Sequence, residues 1–378
     1  MSARREKIGG KKKSKKRSSQ TSGQRRLKKF LRKQYLLPKK ERGEVHPPSA
    51  RMISPLDEFR YMGTLLEVWN RFREQKEVTL EDLHVVARHG NLGLISVGDV
   101  VGLEANPKQE TDKKEGGFGR VTLDCVVGGT QRVAIKEFKN AKECMHELVM
   151  GKMACDVSIG VLPILKYGIS VRGFPFLVTP QEGVTLWEFL SRRHITPVEK
   201  IDLLSQLVKV MGDLHTAELI HGDLKGNNLL VCDSILDGGF TVKVIDFSLT
   251  VKVDHAKARY GKNKSPVEIA NSLKRSYWLA PEFGEGARFS KATDVYALGF
   301  IVMEVLMSKG VNKLNRRFFL DNKTNAEAFK GMVEPGLVEE LSRMFAPPQG
   351  RPTIYELKTT VNALQVKGGV ITLDKSVV

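Results

Sequence analysis

Apolar residues recur every three or four positions between residues 56 and 72: Leu56, Phe59, Met62, Leu65, Leu66, Trp69 and Phe72. That period lays them along one face of an α-helix. A shorter helix is predicted over 80–87, opened by Thr79 with Glu81 and Asp82 in its first turn. From about Gly98 the texture changes to β. Val121–Val127 and Arg132–Phe138 are strand-like runs, and Gly128-Gly129 between them is a hairpin signal. Residues 141–153 read as a helix, further strand-like runs follow, and from about Thr185 helical segments dominate. The expected fold class is α+β, a small β-rich lobe followed by a larger helical one. The stripe before it, over 51–94, is expected to pack on this unit as a helical extension. The chain shows no internal repeat. Its longest apolar run, Ala297 to Met307, is too short to span a bilayer and carries Glu304.

Charge redraws only one end of this picture. The 378 residues carry a formal net charge of +18. Residues 1–50 hold 18 Lys and Arg against 3 acids, a net +15, which leaves +3 for residues 51–378. The folded part therefore needs no polyanionic partner, whereas the first fifty residues are expected to be a disordered basic tail. Such a tail suits a nuclear-import receptor or nucleic acid. Within it Leu27, Phe30, Leu31 and Tyr35 fall at helical spacing, which suits a helix formed on an acidic partner or a membrane surface. No apolar run follows the basic first residues, so no secretory signal is expected. Cys125, Cys144, Cys155 and Cys232 have no CxxC spacing, which argues against a zinc site and a disulfide framework. The expected location is intracellular: the nucleus (a host's, if the chain is viral) where the tail acts as an import signal, the cytoplasm otherwise.

Chemistry concentrates in three stretches. Lys114-Glu115-Gly116-Gly117-Phe118-Gly119 precedes the first strand-like run, and glycines there let backbone N–H groups approach phosphate oxygens. Lys136 lies in an apolar strand, where an unpaired ammonium is expensive and needs an anion. A phosphate and a carboxylate from the next helix would serve. Glu147 is the first choice for that carboxylate and Glu143, one turn earlier, the second. Further on, Asp223 and Asn228 precede the apolar run Leu229-Leu230-Val231, and Asp246 ends another. Phosphoryl transfer needs a carboxylate to orient the hydroxyl nucleophile and oxygen ligands for Mg²⁺ on the triphosphate. Asp223 fits the first role, Asn228 and Asp246 the second, and Lys225 can neutralise charge on the transferring group.

Taken together these stretches resemble the motifs of the eukaryotic-type protein kinase superfamily: Gly-rich loop, VAIK, HRDLxxxN, DFG and APE. Here they read Lys114–Gly119, Val133-Ala134-Ile135-Lys136, His221–Asn228, Asp246-Phe247-Ser248 and Ala280-Pro281-Glu282. The resemblance covers roughly 95–365 and implies a bilobal kinase domain, with a small lobe over 95–180, a large lobe over 181–365 and a tail over 366–378. It implies ATP and Mg²⁺ as cofactors and protein substrates as partners. It also implies that Val121 and Ala134 join Lys114–Gly119, Lys136 and Glu147 around ATP. The hinge would run through Thr179-Pro180-Gln181, with Val178 guarding the pocket behind adenine. Asp294 corresponds to the family's buried aspartate, and Arg351 to its late arginine, which would pair with Glu282.

Three departures stand out. Lys114 replaces the first loop glycine, Ser248 the glycine of DFG, and Gly222 the arginine before the catalytic aspartate. The last change is similar to small-molecule phosphotransferases of the aminoglycoside and choline type, a rival reading. A pseudokinase scaffold with a basic targeting tail is a third. Lys225 follows the Ser/Thr pattern, whereas Trp278 looks more like a tyrosine-kinase segment and Arg275 stands where threonine is expected. Basic tail, compact domain and degenerate motifs together resemble viral Ser/Thr kinases of the herpesvirus kind. The expectation is an ATP-dependent kinase that transfers the γ-phosphoryl group to serine or threonine of proteins.

Overall fold

The computed structural model describes residues 65–73, 75, 77–101, 113–115, 119–233, 239–255, 266–285, 288–308, 331–374 and 376. By contacts the chain divides into residues 1–54 and 55–378. The basic run and the 27–35 stretch lie outside the described residues.

In the second unit the described part of the apolar stripe forms helix α1 (residues 65–73), whose Leu65, Val68 and Trp69 are buried, while Leu56, Phe59 and Met62 lie outside the described residues. Helix α2 (Leu80–His89) begins at Thr79, whose hydroxyl accepts the Asp82 N–H while the Asp82 carboxylate accepts the Thr79 N–H. Strands β1 (Gly93–Ile95), β2 (Val100–Val101), β3 (Lys113–Glu115), β4 (Gly119–Val127) and β5 (Gln131–Phe138) follow. After helix α3 (Ala141–Val157) come β6 (Lys166–Ile169) and β7 (Pro175–Pro180). These seven strands form one sheet in the order β1-β6-β7-β5-β4-β2, with β3 also on β4; only the β1–β6 pair is parallel.

Alternation along the strands divides the sheet into two faces. Val133, Ile135, Phe176 and Val178 join Ile95, Val100 and Cys125 in a small apolar cluster. Their neighbours Ala134, Lys136, Leu177 and Thr179 turn to the opposite face. Gly119 is required at the β4–β5 contact, because a Cβ there would lie 2.1 Å from the Glu137 carbonyl oxygen.

Helix α3 is buried at eleven of its positions, more than one face can supply. Its second apolar face is covered by α1 and α2. Met145, Leu148 and Val149 share the main core with Leu65, Trp69, Leu83 and Val86, and Trp69 meets the His146 ring edge-on at 5.4 Å. Lys142 Nζ donates to the Gln75 carbonyl at 2.6 Å. The 65–89 stretch is thus a structural layer of the unit that carries Glu147. Trp69→Ala should cost about 3–5 kcal/mol of stability, read from the urea unfolding midpoint. A loss under about 1 kcal/mol would mean that α1 lies outside the cooperative core.

The larger, helical part contains β8 (Val184–Thr185), α4 (Leu186–Arg192), α5 (Pro197–Thr216), β9 (Leu219–Ile220), β10 (Leu229–Asp233), β11 (Phe240–Val244) and β12 (Val251–Lys252). It continues through α6 (Pro266–Arg275), α7 (Lys291–Met307), α8 (Pro335–Ser342), α9 (Ile354–Asn362), β13 (Leu364–Lys367) and β14 (Val370–Leu373). The Ala297–Met307 run is the C-terminal part of α7, which is buried from Thr293 to Leu306. Among the described residues no helix is long and apolar enough to cross a membrane.

The expected tail over 366–378 is replaced in large part by structure. β13 and β14 pair as a hairpin, and Ile371, 1% exposed, bridges to Val333. Gly368-Gly369 at its turn is the same signal as Gly128-Gly129. Flanking runs of four residues are too short to register as strands without the surface they cover.

Candidate active site

A cavity of about 670 Å³ opens between the sheet and the helical part. Gly119, Val121, Ala134, Lys136, Glu147, Thr179 and Gln181 line it from above, and Asp223, Lys225, Asn228 and Asp246 from below. Lys114 and Glu115 belong to β3, paired with Val121 and Arg120. Gly116, Gly117 and Phe118 lie outside the described residues.

On the upper side Lys136 Nζ donates to Glu147 Oε2 at 2.6 Å and to Asp246 Oδ1 at 2.8 Å. Glu143 lies one turn back on α3, where its N–H caps onto the Asn140 side chain. Lys136 therefore meets Glu147, the first of the two carboxylates considered. Asp246 sits at φ +65, a left-handed conformation uncommon for aspartate. Its Oδ1 also accepts the Ser248 hydroxyl at 2.6 Å and the Ser248 N–H at 3.3 Å.

On the lower side the 221–228 loop is held from behind by α7. Asp294, 2% exposed, accepts the His221 N–H at 2.8 Å, the Gly222 N–H at 2.9 Å and His215 Nε2 at 3.1 Å. This tether presents Asp223 to the cavity. Asp223 Oδ2 accepts Lys225 Nζ at 2.6 Å and Asn228 Nδ2 at 3.1 Å; Asn228 Nδ2 also reaches the Asp223 carbonyl at 2.8 Å. Asp223 Oδ1 accepts the Trp278 indole N–H at 2.9 Å. Farther out, Arg351 forms a two-pronged pair with Glu282 at 2.6 and 2.9 Å and lies over the Tyr296 ring.

A family model described as protein tyrosine and serine/threonine kinase matches residues 109–361. The chain belongs to that family. Kinases similar to this chain include a probable LIM domain-containing serine/threonine-protein kinase of Dictyostelium discoideum, 31% identical over 234 residues (56% of this chain, 33% of that protein). A probable serine/threonine-protein kinase of the same organism is 24% identical over 254 residues (63% and 26%). A serine/threonine-protein kinase of Bacillus subtilis is 27% identical over 130 residues (34% and 18%). This kinase chain thus spans about a third or less of these relatives' lengths.

Electrostatics in the kinase cavity follow from one cation shared by two carboxylates. Burial disfavours charge on Lys136, but Glu147 and Asp246 outweigh it and hold its pKa above the ordinary lysine value. Burial also works against charge on Asp246; Lys136, helped by the Ser248 hydroxyl, overrides it and keeps Asp246 well below the usual carboxylate range. Glu147 bears the imbalance. Burial pushes its pKa up to about 7, Lys136 pulling it down and Asp246 adding to the rise.

Strand parity moves one expected role. Val178 is 1% exposed within the small cluster on the far face of the sheet, so it does not guard the cavity. Leu177, paired with Lys136 and turned inward, stands there instead. Gln181 lines the cavity, but its N–H and its side chain are committed elsewhere. Its N–H donates to the Arg132 carbonyl, and its side chain bonds Asp124 N–H and Oδ1 at 2.6 and 3.0 Å. It ties the hinge to the bulge in β4. Position 222 adopts φ +79, and a Cβ there would lie 2.8 Å from the Leu249 carbonyl oxygen. Glycine thus lets the segment after Asp246 pack against the 221–228 loop, where Thr250 Oγ1 donates to the His221 carbonyl. Two further participants had no role assigned from the sequence. One is the hydroxyl of Ser248, which stands at the glycine position of the DFG motif; the other is buried Glu304, which accepts from Tyr277 and Trp187.

Proposed function

We propose that this chain is an ATP-dependent protein kinase that transfers the γ-phosphoryl group of ATP to serine or threonine hydroxyls of proteins. One observation carries the reading: Asp223 and the Lys136–Asp246 pair line one cavity, a candidate base beside candidate anchors for the phosphates.

The donor set fits Mg²⁺. Among the described residues every hydrogen bond to Asp246 reaches Oδ1, which leaves Oδ2 as the oxygen offered to a hard cation, with the Asn228 amide oxygen as a second. Bound there, Mg²⁺ supplies positive charge against the phosphate oxygens. Lys136 holds the phosphates by charge and is itself oriented by Glu147. Asp223 accepts the proton of the acceptor hydroxyl as that oxygen bonds the γ-phosphorus and the bond to the β–γ bridging oxygen breaks. Lys225, 2.6 Å from Asp223, stands where it can offset charge on the moving phosphoryl group. Protein substrates are supported by the Arg351–Glu282 pair, which anchors the segment carrying Ala280-Pro281-Glu282. Serine or threonine as acceptor is supported by Lys225 and by the names of the similar kinases.

The test offers purified chain and Mg-ATP a peptide library with Ser, Thr and Tyr acceptors, beside aminoglycosides and choline. Label on Ser and Thr peptides is expected. Label on the small molecules alone would overturn the protein-kinase reading, and none at all would favour a scaffold.

We further propose that residues 1–50 direct the chain to the nucleus, because they carry +15 of the +18 net charge. Removing them should abolish nuclear accumulation in cells while leaving activity on short peptides intact. Unchanged accumulation of the truncated chain would refute this role. If the tail also binds nucleic acid, that affinity should fall steeply with salt.

A further inference from the structure

We infer that Trp278 is a positioning residue for the catalytic base, deciding which acceptor position on Asp223 receives the proton of the acceptor hydroxyl. This rests on the kinase reading above.

A carboxylate offers about two acceptor positions on each oxygen. Oδ2 of Asp223 has both taken, by Lys225 Nζ and Asn228 Nδ2. Among the described residues Oδ1 receives one bond, from the Trp278 indole N–H at 2.9 Å. The remaining position on Oδ1 is the one open to an incoming hydroxyl. Three donors on two oxygens also fix the plane of the carboxylate, since turning it out of that plane would break all three bonds.

The indole is itself held. Lys225 Nζ lies 4.9 Å from the centre of its ring, and Tyr277 packs edge-on at 5.1 Å. Tyr277 OH donates to Glu304 Oε1 at 3.0 Å, and Trp187 Nε1 donates to Glu304 Oε2 at 2.9 Å. Burial pushes the Glu304 pKa up to about 8, those two donors drawing it back. Lys225 and Trp278, which point to opposite substrate classes as sequence signals, meet here across one carboxylate. Trp278 reaches the base from the segment between α6 and Pro281, so the base is fully oriented only when that segment is docked.

The test is Trp278→Phe in the full chain, which keeps an aromatic ring beneath Lys225 and removes the N–H. A hydrogen bond to a charged group is worth roughly 10- to 100-fold. Peptide kcat should fall by that factor, with nucleotide KM and Kd within about twofold of wild type and Tm within about 2 °C. Trp278→Ala should lose more kcat and also lose Tm, because it empties the ring's site. If Trp278→Phe keeps kcat within twofold, the inference fails. It fails equally if the loss of kcat is matched by loss of nucleotide affinity or of Tm, since Trp278 would then be structural only. A wild-type chain that phosphorylates no acceptor would refute the kinase reading and this inference with it; an active wild type with an equally active Trp278→Phe refutes the inference alone.

Discussion

Asp223→Asn is expected to bind Mg-ATP almost as wild type does and to lose about three orders of magnitude in kcat, general-base catalysis being worth about 10²–10⁴-fold. The replacement is isosteric, but an amide cannot accept the hydroxyl proton. The surroundings add to the loss. Both oxygens of Asp223 accept hydrogen bonds, Oδ1 from Trp278 and Oδ2 from Lys225 and Asn228. Either orientation of an asparagine points its NH₂ at a donor. Steady-state phosphorylation of a peptide and direct titration of nucleotide would separate the two quantities. Turnover within tenfold of wild type would remove Asp223 from the role of base.

Lys136→Met is expected to lower kcat/KM by two orders of magnitude or more, because it removes the phosphate anchor and leaves two carboxylates without their shared cation. Glu147→Gln should follow in the same direction and Glu143→Gln should stay near wild type, since only Glu147 bonds Lys136. An inactive Glu143→Gln beside an active Glu147→Gln would reverse that assignment. Stability adds a pH signature. Glu147 has a pKa of about 7 in the fold against 4.5 without it, so the folded chain binds this proton more tightly. Its contribution to stability is therefore full below about pH 4.5 and is lost as pH rises through about 7. Asp246 acts oppositely. Its folded pKa lies below the ordinary 3.8, so its contribution is present above that value and disappears as pH falls further. Without Lys136 both carboxylates lose the cation that favours their charged forms. The variant's melting temperature should then fall more steeply than wild type's between pH 5 and 8. Parallel profiles would mean that the two carboxylates do not depend on Lys136.

Elements with a strong local period were legible along the chain. α2 starts at Thr79 as its capping pattern predicts, and the β4–β5 hairpin turns at Gly128-Gly129. Their signals lie within a few residues, where propensity and hydrogen bonding act directly. Which of two alternating residues faces the cavity was not legible in the same way. Val178 and Leu177 are both apolar, and only the pairing of Leu177 with Lys136 across the sheet sets the parity. The hairpin over 364–373 likewise gained its shape from contact with Val333.

Read alone, the sequence was sufficient for the order of the chemical groups: a glycine-rich turn, Lys136 in a strand, a helix carboxylate, then Asp223, Asn228 and Asp246. These are marked by spacing within short motifs, because each must stand at a strand end or loop whose geometry is local. Tertiary structure alone decided how those groups are held. It gave Lys136 to Glu147 through the docking of α3 between the sheet and α1–α2. It also laid Trp278 against Asp223, residues far apart in sequence. Such contacts leave no periodic trace, because the partners come from different elements and their distance is set by packing of the whole core.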